Sequence, residues 1–188
     1  DGAVDYFDEV VFATHADQTL KILKKPTTNE SKVLSAFPYQ PNDAVLHTDV
    51  RCMPNRRRAW ASWNYRLSTD SPHLASLTYD LSRLQGHQSP VPILVTLNDT
   101  ETIDPDQVIR RFVYHHPAYS RQSIEAQQQY DQISGKDRTH YCGAYWGYGF
   151  YEDGVNSALR VARYFGIGLE ACIAAPMRGE FGTVGSSQ

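Results

Sequence analysis

The first alternation of apolar and polar positions in the chain lies between Asp8 and Thr14, where β-branched and aromatic residues predominate. A short segment of this composition, preceded by an Asp-Gly turn signal, predicts a buried strand. We expect it to be the second strand of a hairpin and to pair with 139–142 or an equivalent strand. The apolar run at 10–12 predicts full burial of that segment.

Two short helices are predicted next. Asp17 is a candidate N-cap, Leu20 and Leu23 share one helical face, and Pro26 would end the first helix. Apolar residues at helical spacing then predict a second helix over 30–37.

Five strand candidates follow, and the segments between them carry turn signals rather than helical crossovers. An antiparallel meander is the simplest arrangement of such strands. Around Trp60 to Leu67 aromatic residues alternate onto both faces, which predicts that both faces are partly covered. The five candidates are 44–49, 58–66, 76–84, 93–97 and 108–115.

The last third of the chain predicts a helix over 120–133 with Ser120 as its N-cap and Gly135 after its end. A short strand over 139–143, a loop rich in glycine and tyrosine, and a helix over 153–164 that stops at Gly166 follow. The final segment, 167–188, reads as a tail.

Size and composition narrow the class of protein. The chain has 188 residues, 41% of them hydrophobic and 21% charged, which is typical of a folded globular protein. Its apolar stretches are much shorter than the roughly 20 residues of a membrane span. The net charge of −3 gives no basic footprint for nucleic acid, and the run Arg56-Arg57-Arg58 reads as a solvated turn.

The cysteines indicate the compartment. Cys52, Cys142 and Cys172 are odd in number and lack a CxxC spacing, which argues against a disulfide framework and favours a reducing cytoplasm. The chain begins without an initiator methionine or signal-peptide pattern, so we expect it to be part of a longer polypeptide.

The most informative unit of the sequence is the strand, glycine loop and helix between Tyr141 and Ala162. Glycines at 143, 147, 149 and 154 allow close approach of the backbone, and the helix start offers N–H groups to an anion or a developing negative charge. A tight strand-to-helix turn packed on aromatic residues would explain the same pattern. A GxGxxA match at 166–171 follows a helix rather than a strand, so helix termination explains it better than a dinucleotide site.

Other chemistry has weaker support. The pairs His47/Asp49, His140/Cys142 and His115/His116 could contribute metal ligands, but their spacing matches no recognised site, and capping or hydrogen-bonding roles explain them equally well. We therefore predict no metal. A GxSxG elbow is missing from the sequence, which disfavours a serine hydrolase.

The residues from Tyr141 to Ala158 resemble the C-terminal flavin-binding signature of the FAD-dependent amine oxidase and protoporphyrinogen oxidase superfamily. The carrying residues are Tyr141-Cys142-Gly143-Ala144-Tyr145, Gly147-x-Gly149 and Asp153-Gly154-Val155-x-Ser157-Ala158. The phrases FDEVVFATHA, VLHTD, RRAWASWNY and HHPAY extend the resemblance over about 6–165, towards the predicted FAD/NAD-binding oxidoreductase branch of that superfamily.

The resemblance implies an α+β fold with two components. A mostly antiparallel five-stranded sheet with flanking helices, over 26–137, would be the substrate domain. The segments 1–25 and 138–166 would be the remnants of an FAD-binding α/β domain. The cofactor implied is FAD, and the implied partners are an N-terminal dinucleotide-binding region and a small-molecule substrate. The implied cofactor-binding residues are Ala13, Thr14, Gly143, Ala144, Tyr145, Asp153, Gly154 and Val155, with the last helix beside the flavin pyrimidine.

The sequence departs from the family pattern at three places. Tyr145 occupies the position of an often acidic residue, Ala158 replaces a glycine, and the five lysines offer no counterpart to the active-site lysine of many amine oxidases. Dehydrogenation of a lipid-like substrate is the alternative to amine oxidation, and the catalytic residues stay unassigned. The candidate pocket residues are His47, Trp63, Tyr65, His115 and Tyr119, for each of which ordinary sheet packing is an equal explanation.

A hypothesis from another class is a non-catalytic module whose aromatic sheet face holds a ligand or partner. If the flavoenzyme interpretation holds, we expect this chain by itself to be inactive, to lose FAD and to self-associate, because Val155, Leu159 and Ala162 form one apolar helix face.

Overall fold

The computed structural model describes residues 2–67 and 76–170. It has an α+β fold with a five-stranded antiparallel sheet and a separate parallel pair of strands, which confirms the predicted fold class. The predicted turn at 71–72, Cys172 and the tail from 171 onward lie outside the described residues.

The described residues form five α-helices and seven strands. The helices are α1 (Ala16–Ile22), α2 (Thr28–Leu34), α3 (Leu81–Gln85), α4 (Arg121–Gln127) and α5 (Tyr151–Tyr164). The strands are β1 (Val10–Phe12), β2 (Tyr39–His47), β3 (Trp63–Arg66), β4 (Ser76–Asp80), β5 (Leu94–Leu97), β6 (Val108–Pro117) and β7 (Thr139–Tyr141). Within the described ranges, no helix is long and apolar enough to cross a membrane.

The helix caps are partly as predicted. Ser120 caps α4, and the turn after α5 is closed by Gly166, whose φ is +71°. The predicted N-cap Asp17 is wrong: α1 begins earlier, with His15 as N-cap, and the Gln18 side chain accepts a hydrogen bond from the His15 N–H. Asp17 lies in the first turn, where its carboxylate pairs with Lys21 instead.

The order of strands in the large sheet is β3-β4-β5-β2-β6. Three consecutive strands are neighbours, but the predicted simple meander is wrong because β2 lies between β5 and β6. The reason is burial: Ala44, Val45 and His47 of β2 are fully buried, which requires a central strand, whereas β3 lies at an edge with Trp63 and Tyr65 exposed.

The two faces of this sheet differ, contrary to the prediction that both are partly covered around 60–67. One face packs its Val45 against Cys52 and Ile103. The other presents the side chains of Trp63 and Tyr65, which are 52% and 61% exposed. We call this second surface the aromatic face.

The chain forms two compact units. One comprises Asp1–Pro38 with Tyr119–Gln188, and the other Tyr39–Ala118. In the first unit, Phe37, just after α2, packs edge-on against the rings of Tyr145 and Trp146.

The small sheet pairs β1 with β7 in parallel, with Val10 opposite Thr139 and Phe12 opposite Tyr141. The predicted pairing is therefore confirmed. Full burial of β1 is wrong: Val10 and Val11 are 41% and 46% exposed, because a sheet of two strands covers little of either one.

Candidate functional site

The carboxyl ends of β1 and β7 lie at the same edge of the small sheet, as parallel pairing requires. The Cys142 N–H donates to the Phe12 carbonyl oxygen at 2.9 Å, which continues the pairing one residue beyond β7. Ala13 and Thr14 follow one strand, and Gly143 and Ala144 follow the other. Ligands of α/β proteins bind outside the carboxyl ends of parallel strands, so these four predicted cofactor residues occupy a suitable edge.

Gly143 makes the turn out of β7 possible. Its φ is +156°, and a Cβ atom there would lie 2.5 Å from the Tyr145 ring. The Gly143 N–H donates to the Ser157 hydroxyl at 2.8 Å, and that hydroxyl donates to the Gly154 carbonyl at 2.8 Å. Ser157 thus ties the end of β7 to the first turns of α5.

Gln127 of α4 holds the loop between β7 and α5. Its side-chain amide donates to the carbonyl oxygens of Tyr145, at 3.0 Å, and Gly147, at 2.6 Å. Sequence reasoning missed Gln127, since a lone amide on a helix carries no spacing signal, whereas Ser157 is one of the residues that carry the resemblance stated above.

The Asp153 carboxylate closes the same loop from the helix side. It accepts hydrogen bonds from the N–H groups of Tyr148, at 3.0 Å, and Phe150, at 2.9 Å. The helix begins at Tyr151, two residues before the predicted start, and the Gly154 N–H donates to the Phe150 carbonyl at 3.2 Å. The N–H groups of the first turn therefore belong to Tyr151, Glu152 and Asp153.

Gly154 sits in the helix without an internal reason to be glycine. A Cβ atom there would approach Ala144 no closer than 3.9 Å, so the protein itself leaves room for a side chain. Glycine in a helix costs about 1 kcal/mol relative to alanine. The neighbouring Val155 is 49% exposed. This combination fits a helix start that a ligand approaches closely.

The side chain of Tyr145 belongs to the packing, since the residue is only 2% exposed. Its ring contacts Phe37 and Trp146, so only its backbone can serve a ligand. The Trp146 indole N–H is buried, and the described residues offer it no hydrogen-bond acceptor. It lines a small cleft with Gly147, Asp153 and Arg160.

A buried hydrogen bond links the end of β7 to the start of α2. Tyr141 donates a short hydrogen bond to Glu30, whose other oxygen accepts from the N–H and the hydroxyl of Thr27. Burial raises the pKa of the Glu30 carboxyl, but these hydrogen bonds outweigh it and the net pKa is lowered. Burial and Glu30 raise the pKa of Tyr141. The spacing of Thr27 and Glu30 is a capping box, which is a signal the sequence carries.

The structure does not bring the five candidate pocket residues together. Trp63 and Tyr65 share the aromatic face, whereas the strand register puts His47 and His115 on the opposite face. Tyr119 belongs to the other compact unit, where a Cβ on Gly149 would lie 2.9 Å from its hydroxyl. Burial, with the Asp153 charge, raises the pKa of Tyr119 to about 12.

His47 lies in a polar layer inside the sheet unit. Its Nδ1 accepts from the Asp49 N–H at 3.1 Å, and its Nε2 lies 2.8 Å from the Thr96 hydroxyl. Because the backbone N–H can only donate, His47 is the neutral Nε2–H tautomer. Its burial lowers its pKa, although the Asp49 charge raises it.

Cys52, Cys142 and the residue pairs considered above as metal ligands show no reactive arrangement within the part of the chain that the structure describes. Burial raises the pKa of both Cys52 and Cys142, which keeps each thiol protonated. Within residues 2–67 and 76–170, there is no group of three or more His, Cys, Asp or Glu side chains that could bind a metal ion. His140 instead lies 3.1 Å from Glu9 and packs on Tyr164 and Phe165.

Comparison with known proteins gives a structural likeness and no sequence relationship. No protein-family model and no curated protein matches the sequence. Among solved structures, the chain is similar to the CLA-producing fatty acid isomerase from P. acnes, with a TM-score of 0.53 and 12% identity. The match covers 85% of this chain and 42% of that one, so this chain spans less than half of that enzyme. At this identity the likeness concerns the fold.

Proposed function

We propose that this chain is the C-terminal part of an FAD-dependent oxidoreductase of the amine-oxidase-like superfamily that acts on an apolar, lipid-like substrate. The observation that carries the proposal is the convergence of Ala13, Thr14, Gly143 and Ala144 at the carboxyl edge of β1 and β7, beside the start of α5. The room beside Gly154, next to Ala144, fits a flat ligand at this edge, and the Trp146 N–H offers a donor in the cleft that it lines with Gly147 and Asp153.

Each part of this edge has a task in the proposal. Bound FAD would supply the hydride-accepting chemistry. The start of α5 offers backbone N–H groups and a partial positive charge, which stabilise negative charge on a ligand beside it. Gln127 and Asp153 fix the loop from two sides, so that the edge is preorganised before a ligand binds.

The proposal includes a further partner region. Isolated parallel pairs of strands are rare, because parallel sheets are normally covered on both faces. The exposed Val10 and Val11 of β1 therefore suit an α/β dinucleotide-binding region, which would extend the small sheet and hold the pyrophosphate and adenosine of FAD.

The substrate class follows from the aromatic face. Trp63 and Tyr65 lie beside Leu77 and Tyr79 of β4, and the ring centroids of Trp63 and Tyr79 are 5.7 Å apart. Charged side chains do not interrupt these four positions, which favours an apolar substrate over a cationic amine. The enzyme with the similar fold is named for a fatty acid, which supports the same class.

Gly154→Ala in the natural full-length polypeptide tests the cofactor site. The added methyl group has room within the protein, so we expect the free energy of unfolding without cofactor to rise by about 0.5–1 kcal/mol. The same methyl group would occupy the space assigned to the flavin. We expect FAD retention to fall at least about tenfold, measured by visible absorbance and by titration of the apoprotein.

Arg163→Ala is the matched control, because Arg163 is exposed near the other end of the same helix and should change neither quantity strongly. A full-length protein that purifies without flavin and binds none would contradict the proposal and favour the non-catalytic binding module. Equal FAD affinity of the Gly154→Ala variant and the parent would show that α5 does not contact the flavin.

We also expect this chain by itself not to retain FAD. The proposed contacts with pyrophosphate and adenosine lie outside it, and their loss removes charge-assisted hydrogen bonds and most of the buried ligand surface. The exposed apolar side chains of α5 and β1 should then promote self-association. Absorbance at the flavin band and the mass in solution check both points, and a yellow monomer with one flavin per chain would contradict them.

A further inference from the structure

Strand β6 forms a long, exposed edge of the large sheet. It has ten residues, and among the strands the structure describes it pairs with β2 alone. The apolar residues Ile109, Val113 and Tyr114 are 57%, 61% and 49% exposed. An edge of this length and composition is a template for the addition of another strand.

The backbone groups that face outward follow from the hydrogen bonds of β2. The Asn98 N–H donates to the Asp43 carbonyl at 2.9 Å, so the peptide groups of Asp43 point towards β5. The peptide groups of successive residues in a strand point to opposite sides, so the N–H and C=O groups of Ala44 point towards β6, where Ala44 pairs with Phe112. The Thr48 N–H donates to the Gln107 carbonyl at 3.1 Å, so the even-numbered residues at this end of β2 also point towards β6. The residues of β6 whose N–H and C=O groups point to the open edge are therefore Arg111, Val113 and His115.

We propose that a second copy of this chain adds to this edge in antiparallel orientation, with the two-fold axis at Val113. Val113 then pairs with Val113 of the second copy, and Arg111 with His115 of the second copy. All three outward-facing residues donate one hydrogen bond and accept one. The result is a continuous sheet across the dimer, and the inference does not depend on the proposed function.

The side chains favour this register. A two-fold axis at Arg110 or Arg111 would place like charges opposite each other, whereas an axis at Val113 places each arginine opposite a histidine. Phe112 comes to lie opposite Tyr114 of the second copy, which extends the stack that these rings already form at 5.6 Å and 15°. The irregularity at Leu46/His47, near Ile109, falls at the end of the new pairing.

Axes at Phe112 and at Tyr114 are the nearest alternatives without arginine opposite arginine. The axis at Phe112 sets His115 opposite Ile109, at the irregular position of the strand, and the axis at Tyr114 sets Arg111 opposite Pro117, which has no N–H to donate. Each of these registers leaves part of the outward-facing hydrogen-bond ladder unmatched. The axis at Val113 therefore uses the edge most completely.

Val113→Pro tests the pairing, because proline removes an N–H that points to the open edge and leaves the β2–β6 ladder intact. Val113→Thr is the control, since it keeps both the N–H and the β-branched shape. We expect light scattering to show a concentration-dependent dimer for the parent chain and for Val113→Thr, and a clearly lower mass for Val113→Pro, in which only the association through the apolar side chains of α5 and β1 remains. Circular dichroism and thermal unfolding report whether each variant is folded.

A cross-link fixes the register and does not depend on how well the proline variant folds. The double variant Phe112→Cys/Tyr114→Cys should form disulfide-linked dimers on mild oxidation, and Phe112→Cys alone should form far fewer, as should the parent chain. A parent chain that stays monomeric at about 100 μM, a concentration at which weak dimers form, would overturn the proposal. So would equal dimerisation of Val113→Pro and the parent, or preferential cross-linking of Phe112→Cys alone.

Discussion

Gly143→Ala is expected to lower the free energy of unfolding by about 3 kcal/mol, through backbone strain and a steric clash that add together. The φ of +156° is one that residues with a side chain rarely adopt, and the new methyl group would meet the Tyr145 ring at 2.5 Å. Tyr145 cannot move away easily, because it is buried against Phe37 and Trp146. Urea denaturation measures the loss.

Gly86→Ala separates the two causes. Gly86 has a φ of +69°, and a Cβ atom there would meet nothing within 4 Å. Its alanine variant should therefore lose about 1 kcal/mol, from backbone strain alone. Equal losses at Gly86 and Gly143 would show that the Tyr145 contact contributes nothing and that the turn after β7 is looser than described.

The parts of the fold that the sequence predicts well are set by local chemistry. Ser120 accepts the Ser123 N–H at the start of α4, and the left-handed Gly166 follows α5. Such signals act within a few residues, so they survive in any tertiary context. The same holds for the turn at Gly143, where a strand, glycines and a helix follow each other directly.

The parts that the sequence misses depend on distant contacts. The place of β2 between β5 and β6 is decided by which strand buries both faces, which no local pattern specifies. Gln127 reaches loop carbonyls 18 and 20 residues further along the chain. His47 carries the sequence pattern of a pocket residue, yet its hydrogen bonds to Asp49 and Thr96 make it part of the sheet interior.

The buried His47 makes the stability of the sheet unit sensitive to acid. Burial lowers its pKa in the folded chain, while in the unfolded chain it titrates near the ordinary value of about 6.5. The unfolded chain therefore binds the proton first. The stabilisation is fully present above about pH 6.5 and is lost as the pH falls towards the lowered folded pKa.

We expect the free energy of unfolding to fall between pH 7 and pH 5, with a contribution from this residue of at most about 1.4 kcal/mol per pH unit. His47→Gln should remove that contribution, because its amide can still donate to the Thr96 hydroxyl but does not titrate in this range. The variant should be less stable than the parent at pH 7, and the difference should shrink as the pH falls. His87→Gln is the matched control: His87 is exposed, so its replacement should leave the pH profile unchanged. Urea denaturation at pH 7, 6 and 5 compares the three proteins, and parallel profiles for the parent and His47→Gln would mean that the imidazole takes up its proton without leaving the folded sheet.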